Sequence, residues 1–288
     1  MLKTVHTIAE LRTEVGAARK SGRRIGFVPT MGNLHAGHAS LVKRAREDSD
    51  YVVASVFVNP LQFGPTEDFS RYPRTLAADQ TLLEQEGAQL LFAPAVEEMY
   101  PLGFPPVTTL RVQGTITQDL EGEFRPGHFD GVATVVTILF NFVQPDVAVF
   151  GEKDFQQLAL VRRMTIELGM PIEIVGAATL RDPDGLAMSS RNQYLQPDER
   201  ARAPALQRSI RSVIAAVRAG RRDFDAVCAA EIAKLTAEGF RPQYLVVRNT
   251  DLTPPDERSS ELVVLAAAWL GMTRLIDNTR FLPENRSA

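Results

Sequence analysis

Cysteine occurs once in the 288 residues, at Cys228. That excludes an internal disulfide framework and fits a reducing compartment, so the expected location is the cytoplasm. Histidine occurs four times, which leaves few imidazoles for metal binding. Charge of one sign is also missing: 32 Lys and Arg stand against 35 Asp and Glu, a net charge of −3. With no basic block, no nucleic-acid partner is expected. The longest apolar runs, such as Leu262–Leu270, are too short to span a bilayer, and the first ten residues lack the apolar stretch of a secretory leader. No membrane association is therefore expected. No internal repeat, low-complexity tract or Gly-x-Gly-x-x-Gly dinucleotide fingerprint is present. Hydrophobic residues at 44% do suffice for a substantial core, in one large domain or two ordinary ones.

Chemistry is densest in Ile25-Gly-Phe-Val-Pro-Thr-Met-Gly-Asn-Leu-His-Ala-Gly-His38. Ile25 to Val28 reads as a buried parallel strand that Pro29 ends, and Gly32 permits a turn. Leu34, His38, Leu41, Val42 and Ala45 fall at helical spacing, so a helix starts near His35. Strand, glycine turn and helix together offer unpaired N–H groups and a partial positive charge to an anion, phosphate above all. His35 and His38 share one face at the helix start, and Gly37 between them lets a ligand approach the backbone. Two zinc ligands or two plain surface residues would give the same local pattern; zinc would need two further ligands, and the remaining candidates, His6, His128 and Cys228, are scattered.

Along the rest of the chain, residues 7–20 predict a helix capped by Thr7 with Glu10 three positions later. Tyr51–Val58 predicts a second buried strand, and Asn59 and Gln62 just past its end face a ligand crevice if the sheet is parallel. Asn-Pro is equally a turn signal. Leu76–Gln85 predicts a helix with Asp79 on its first turns, either toward the crevice or, more simply, solvated. Strands are predicted at 88–93, 107–112, 147–150 and 172–175, and a nearly all-apolar helix at 132–142 that suits either the core or a homodimer face. Lys153 follows the glycine that ends the strand at 147–150, Asp154 is placed to open the next helix, and Gln157 lies one turn on. Ser189, Ser190 and Arg191 lie in a loop-rich segment and suit phosphate oxygens, although the serines can equally cap a helix. Helices at 198–219 and 224–238 and strands near 244–248, 262–268 and 274–277 complete the reading. Alternation of strand and helix predicts a parallel sheet wrapped by helices, a Rossmann-like α/β fold over residues 1–185, with a smaller α+β domain over 186–288 closing over the site.

Six ordered motifs then coincide: residues 29–38, Phe57-Val-Asn-Pro-Leu-Gln-Phe63, Tyr72-Pro-Arg-Thr75, Arg125-Pro-Gly-His-Phe129, Phe150-Gly-Glu-Lys-Asp-Phe-Gln-Gln-Leu158 and Met188-Ser-Ser-Arg-Asn192. Together with Thr273-Arg-Leu-Ile-Asp-Asn278 they resemble the pantothenate synthetase (pantoate–β-alanine ligase) family over nearly the whole chain. The resemblance implies a cytoplasmic, homodimeric enzyme of the nucleotidyltransferase group. Such an enzyme uses ATP with Mg²⁺ to activate (R)-pantoate as pantoyl adenylate, which the amine of β-alanine then attacks to give pantothenate and AMP. By the same resemblance, catalysis falls to His35, His38, Lys153, Ser189, Ser190 and Arg191. ATP binding falls to Met31, Gly32, Asn33, Leu34, Ala36 and Gly37 with the two histidines, to Gly151, Glu152, Lys153 and Asp154, and to Leu180 and Met188 through Arg191. Gln62, Gln157 and Asn59 match positions for pantoate or β-alanine, and Asp79 a residue linked to the metal. The loops around 62–75 and 181–192 are expected to form a lid that keeps water from the adenylate.

Overall fold

Apolar runs separated by turn residues become the strands of the computed structural model, which describes residues 1–64, 69–105, 107–256 and 259–283. The elements of the first part are β1 (Lys3–Val5), α1 (Ile8–Lys20), β2 (Ile25–Thr30), α2 (Ala36–Asp48), β3 (Tyr51–Val56), α3 (Leu76–Gln85), β4 (Leu90–Phe92), the short α4 (Val96–Met99), α5 (Thr115–Gln118) and α6 (Glu121–Phe124), α7 (His128–Val143), β5 (Val147–Gly151), α8 (Phe155–Glu167) and β6 (Glu173–Ala177). All six strands are parallel, in the order β1-β4-β3-β2-β5-β6. Strand order reverses between β2 and β5. Ligands of open parallel sheets bind beyond the carboxyl ends of strands at such a point, and residues 30–38 and 151–154 follow the two strands that make it.

Local chemistry explains the helix starts. Thr7 accepts the Glu10 N–H while the Glu10 carboxylate accepts the Thr7 N–H, the reciprocal cap that satisfies two orphan donors. The sheet centre is dry: Ile25, Phe27, Val28, Val52, Val53, Ala54, Val147, Ala148 and Val149 are fully buried. Helix α7 is a core helix of the chain itself, with Phe129, Val132, Ala133, Val136, Leu139, Phe140 and Val143 buried.

Several expectations need correction. Pro29 does not end β2, which runs on to Thr30. The ladder to β5 covers only Gly26 and Phe27, so beyond Phe27 one edge of β2 has no partner strand and a residue without an N–H is tolerated. Residues 107–112 form no strand; Leu110 N–H instead donates to Thr134 Oγ1 on α7 (2.9 Å). Strand β1 escaped detection because three residues are too few to show a period.

Backbone contacts divide the chain into two compact units. The first is Met1–Gly151 with Gln156–Ala178, and the second is Glu152–Phe155 with the chain from Thr179 on. The second unit contains α9 (Pro197–Arg202), α10 (Ala205–Arg218), α11 (Phe224–Ala237) and an antiparallel sheet of β7 (Phe240–Asn249), β8 (Leu262–Leu270) and β9 (Thr273–Phe281), with β8 central. The single helix expected over 198–219 is two, because Pro204 lacks an N–H and breaks the ladder. Leu206, Ile210, Val213 and Val217 of α10 recur at helical spacing and are buried against Val264, Ala266, Ala268 and Leu270 in one cluster. Strand β8 is buried on both faces, Leu262 through Ala268 all being buried, which is why it reads as an unbroken apolar run. Cys228 belongs to this core, and burial pushes its thiol up to about 11. Among the described residues no helix is long and apolar enough to cross a membrane.

Candidate active site

The turn after β2 is held from a distance. Gly32 and Asn33 adopt φ of 85° and 51°, a left-handed pair that needs outside support. Asp79, on the first turn of α3, supplies it: Oδ2 accepts the Asn33 N–H (3.1 Å), and Oδ1 accepts the Leu34 N–H (2.8 Å) and the Thr75 hydroxyl (3.1 Å). Asp79 is 1% exposed, so the solvated reading is wrong. Its carboxylate is the clamp of the turn that leads into α2. A Cβ at Gly32 would lie 3.0 Å from Asp79 Oδ2, so a side chain there would crowd the clamp as well as strain φ.

Helix α2 begins with imidazoles in place of the usual hydroxyl and carboxylate. His35 is the N-cap, its backbone extended, and its Nδ1 accepts the Gly37 N–H (3.1 Å). His38 Nδ1 accepts the His35 N–H in return (3.3 Å). A backbone N–H can only donate, so both rings accept at Nδ1 and, in the neutral form, carry their proton on Nε2. The ring centroids lie 4.2 Å apart. Meanwhile the N–H groups of Gly37, His38 and Ala39 are all engaged inside the cap. Those three N–H groups are therefore already used and do not serve the backbone cradle expected here.

Past β3, Pro60–Gln62 forms one tight turn capped by Asn59. Asn59 is 1% exposed and fully committed. Its Oδ1 accepts the Leu61 N–H (3.2 Å) and the Tyr100 hydroxyl (2.7 Å), while Nδ2 donates to Gln62 Oε1 (3.1 Å) and the Gly131 carbonyl (3.2 Å). Two donors and two lone pairs are the whole capacity of an amide, so Asn59 holds its neighbour and has nothing to offer the ligand it was expected to touch. Gln62 Nε2 donates to Met31 Sδ (3.0 Å), which joins two residues expected at different substrates.

Adjacent glutamines at the start of α8 divide their work. Gln156 is buried and spans the Ile116 and Asp119 carbonyls (2.9 and 2.8 Å) and the Glu121 N–H (3.1 Å). Gln157 is half-buried, with no side-chain hydrogen bond among the described residues.

The second unit carries the other expected groups. Lys153 sits in the turn Glu152–Asp154, its side chain 19% exposed and Nζ 4.0 Å from Asp154 Oδ2. Asn278 on β9 fixes that turn by donating to the Glu152 and Lys153 carbonyls (2.9 and 2.8 Å), and Arg280 pairs with Glu152 (2.5 Å). The next residue group is a hairpin: Met188 N–H donates to the Leu180 carbonyl (3.0 Å), and Arg181 forks onto the buried Asp277 (2.7 and 2.9 Å). Ser189 caps the short turn Ser190–Tyr194 through its Oγ and the Arg191 N–H (3.3 Å), and does not cap α9. Strand β9 thus packs against both the Lys153 turn and the Ser190 turn. Of the expected lid, residues 65–68 lie outside the described residues.

The model of the pantoate–β-alanine ligase family matches residues 3–280. This chain belongs to that family. A pantothenate synthetase of Pseudomonas putida (strain GB-1) is 57% identical over 288 residues, all of both chains. The crystal structure of a pantothenate synthetase from Thermus thermophilus matches with a TM-score of 0.89 at 49% identity, covering 96% of this chain and 98% of that one. A pantoate–β-alanine ligase of Francisella tularensis, crystallised with β,γ-ATP and β-alanine, matches with a TM-score of 0.81 at 31% identity over the whole of both chains. The ligase joins (R)-pantoate and β-alanine to pantothenate through pantoyl adenylate, with ATP as substrate and AMP and pyrophosphate as products.

Sequence reasoning overlooked Tyr100, His128 and Gly131. His128 bridges the Gln62 carbonyl (2.9 Å) and the Arg125 guanidinium (2.9 Å), and a Cβ at Gly131 would lie 2.5 Å from the Leu61 carbonyl oxygen. The Arg125–Phe129 motif was visible, but nothing local shows that it buttresses a turn so far away in the chain.

Proposed function

We propose that the imidazole cap, the Lys153 turn and the Ser189–Arg191 turn stabilise the charge that moves onto pyrophosphate, while Gln62 and Gln157 hold pantoate. The observation that carries this is the reciprocal His35–His38 cap, which commits both Nδ1 atoms to the backbone and leaves Nε2–H as the ring donor. In the first step a pantoate carboxylate oxygen attacks the α-phosphorus of ATP, the bond to the bridging oxygen breaks, and pyrophosphate leaves. Donors aimed at the departing oxygens lower that barrier without proton transfer. His38 therefore acts as a hydrogen-bond donor from a neutral ring. Lys153 and Arg191 supply positive charge, and Ser189 and Ser190 supply hydroxyl donors. In the second step the amine of β-alanine attacks the acyl carbon, loses a proton, and AMP leaves. Met31, Gly32 to Gly37, Gly151 to Asp154, Leu180 and Met188 form the ATP-binding surfaces of this proposal.

Mg²⁺ enters this reading with ATP. Among the described residues no cluster of three His, Cys, Asp or Glu could cage an ion, and both Asp79 oxygens are occupied by the turn. Such a donor set does not fit a protein-held metal, whereas Mg²⁺ keeps waters and takes phosphate oxygens readily. A cytoplasmic homodimer completes the proposal, supported by the lone buried cysteine and the family resemblance; sedimentation would return a single-chain mass if the dimer is wrong.

The test is AMP and pyrophosphate release from Mg-ATP and pantoate, with and without β-alanine. Sustained AMP release is expected only with both acceptor and acid present. His38→Ala and Lys153→Ala are each expected to slow adenylate formation about 10²-fold with the fold intact. Wild-type turnover in either folded variant would remove that residue from the mechanism.

A further inference from the structure

An amide side chain can face a ligand with its carbonyl or with its N–H₂, and the two ends select opposite partners. For Gln62 the choice is made by a chain of buried groups whose direction has one solution. The Leu61 N–H can only donate, so it must meet Asn59 Oδ1; the Gly131 carbonyl can only accept, so it must meet Asn59 Nδ2. The remaining Asn59 N–H then points at Gln62, which must answer with Oε1 (3.1 Å). Gln62 Nε2 is thereby turned the other way, toward Met31 Sδ. Its second N–H has no partner among the described residues, and Gln62 is 7% exposed.

Tyr100 closes the relay at its far end. Its hydroxyl donates to Asn59 Oδ1 (2.7 Å), its ring lies against Phe57 and Phe104, and burial raises its phenol above the ordinary range. It therefore stays a donor. Flipping Gln62 alone would set two N–H₂ groups face to face in a dry site, which costs the desolvation of both donors.

We propose that Tyr100 is a positioning residue that holds Asn59 in place, so that the Asn59 amide, oriented by Leu61 and Gly131, keeps Gln62 as a hydrogen-bond donor and this side of the acid site selects an acceptor oxygen of pantoate. The proposal rests on the reading that Gln62 contacts pantoate, and the experiment separates the two. Steady-state kinetics are measured with pantoate and ATP varied in turn, for Tyr100→Phe, Asn59→Asp, Gln62→Ala and the double variant Tyr100→Phe/Gln62→Ala, with thermal melting of each.

Tyr100→Phe keeps the ring and removes the terminal donor. It is expected to raise KM for pantoate about 5–10-fold, the size of one buried hydrogen bond, with KM for ATP unchanged. Asn59→Asp has no N–H to give, so Gln62 must turn its own N–H₂ inward and present Oε1 to the ligand; KM for pantoate should rise about 100-fold or more. In the Gln62→Ala background the Tyr100→Phe effect should vanish. If Gln62→Ala leaves KM for pantoate unchanged, the contact reading fails and the relay has no target. If Gln62→Ala is damaging but Tyr100→Phe and Asn59→Asp are not, the relay alone is overturned. A Tyr100→Phe effect that persists without Gln62, or that moves pantoate and ATP equally, would show ordinary packing and overturn it as well.

Discussion

Asp79→Asn changes one atom of the clamp beneath the histidine helix, and its cost can be worked from the contacts. The carboxylate accepts three hydrogen bonds, two from the backbone N–H groups of Asn33 and Leu34, one on each oxygen. Neither backbone donor can reverse. An asparagine can accept one of them, but its own N–H₂ then opposes the other. One buried N–H loses its partner, at about 1–3 kcal/mol, and the surviving bond loses its charge assistance, at about 1 kcal/mol. The sum, roughly 2–4 kcal/mol, falls on a turn already in left-handed backbone at Gly32 and Asn33. The turn has two ways to respond. It can stay in place, with the full cost appearing as lost stability in urea unfolding. Alternatively it relaxes locally, stability falls less, and the His35–His38 cap shifts relative to the strand ends. A shift of about 1 Å at a catalytic group can cost about 10²-fold. The two measurements are therefore expected to trade off, with stability and kcat/KM for adenylate formation together losing at least about 2 kcal/mol. Asp79→Asn with wild-type urea midpoint and wild-type kcat/KM would refute the clamp.

Two further outcomes concern the scaffold. Gly131→Ala drives a methyl group into the backbone of Leu61 and Gln62; separation of α7 from the 60–62 turn should cost about 1–3 kcal/mol in unfolding and raise KM for pantoate more than for ATP. Equal loss for both substrates would place the effect elsewhere. At Asp146, burial alone would raise the carboxyl, but the Ile25 N–H (2.7 Å) and the Arg19 guanidinium (2.9 Å) outweigh it and hold the group below its ordinary 3.8. A depressed folded-state value means that the stabilisation is complete above about pH 3.8 and disappears as pH falls through the folded value. Asp146→Asn should therefore be less stable than wild type at pH 7 by about 1–2 kcal/mol, and the two melting curves should converge in acid. A gap that stayed constant from pH 7 to pH 2 would deny the carboxylate this role.

The features legible in the chain were those written in short range. The period of apolar residues marked the strands and main helices of both units, because burial of one face leaves that period wherever an element is long enough. Thr7 with Glu10 announced a helix start, and the glycines and prolines after β2 and β3 marked the turns that hold His35, His38 and Gln62. Strand β1 and the short helices α4 to α6 were missed because three or four residues carry no period. Pro29 misled because its tolerance depends on where the ladder to β5 stops, which is a property of two strands. Residues 107–112 misled because a stretch rich in β-branched residues can tie itself to a helix, here through the Leu110 N–H and Thr134, without pairing as a strand.

By itself, then, the sequence determined the main strands and helices, the parallel sheet, the family and the chemical groups available to the reaction. Tertiary structure decided what each group is left to do. Asp79 meets Asn33 across 46 positions, Tyr100 meets Asn59 across 41, and Asn278 meets Lys153 across 125. Local spacing contains no record of such pairs. The physical reason is that a hydrogen-bonding side chain has a small, countable capacity. Whether any of it remains for a substrate is known only once the partners that folding brings to it have been counted.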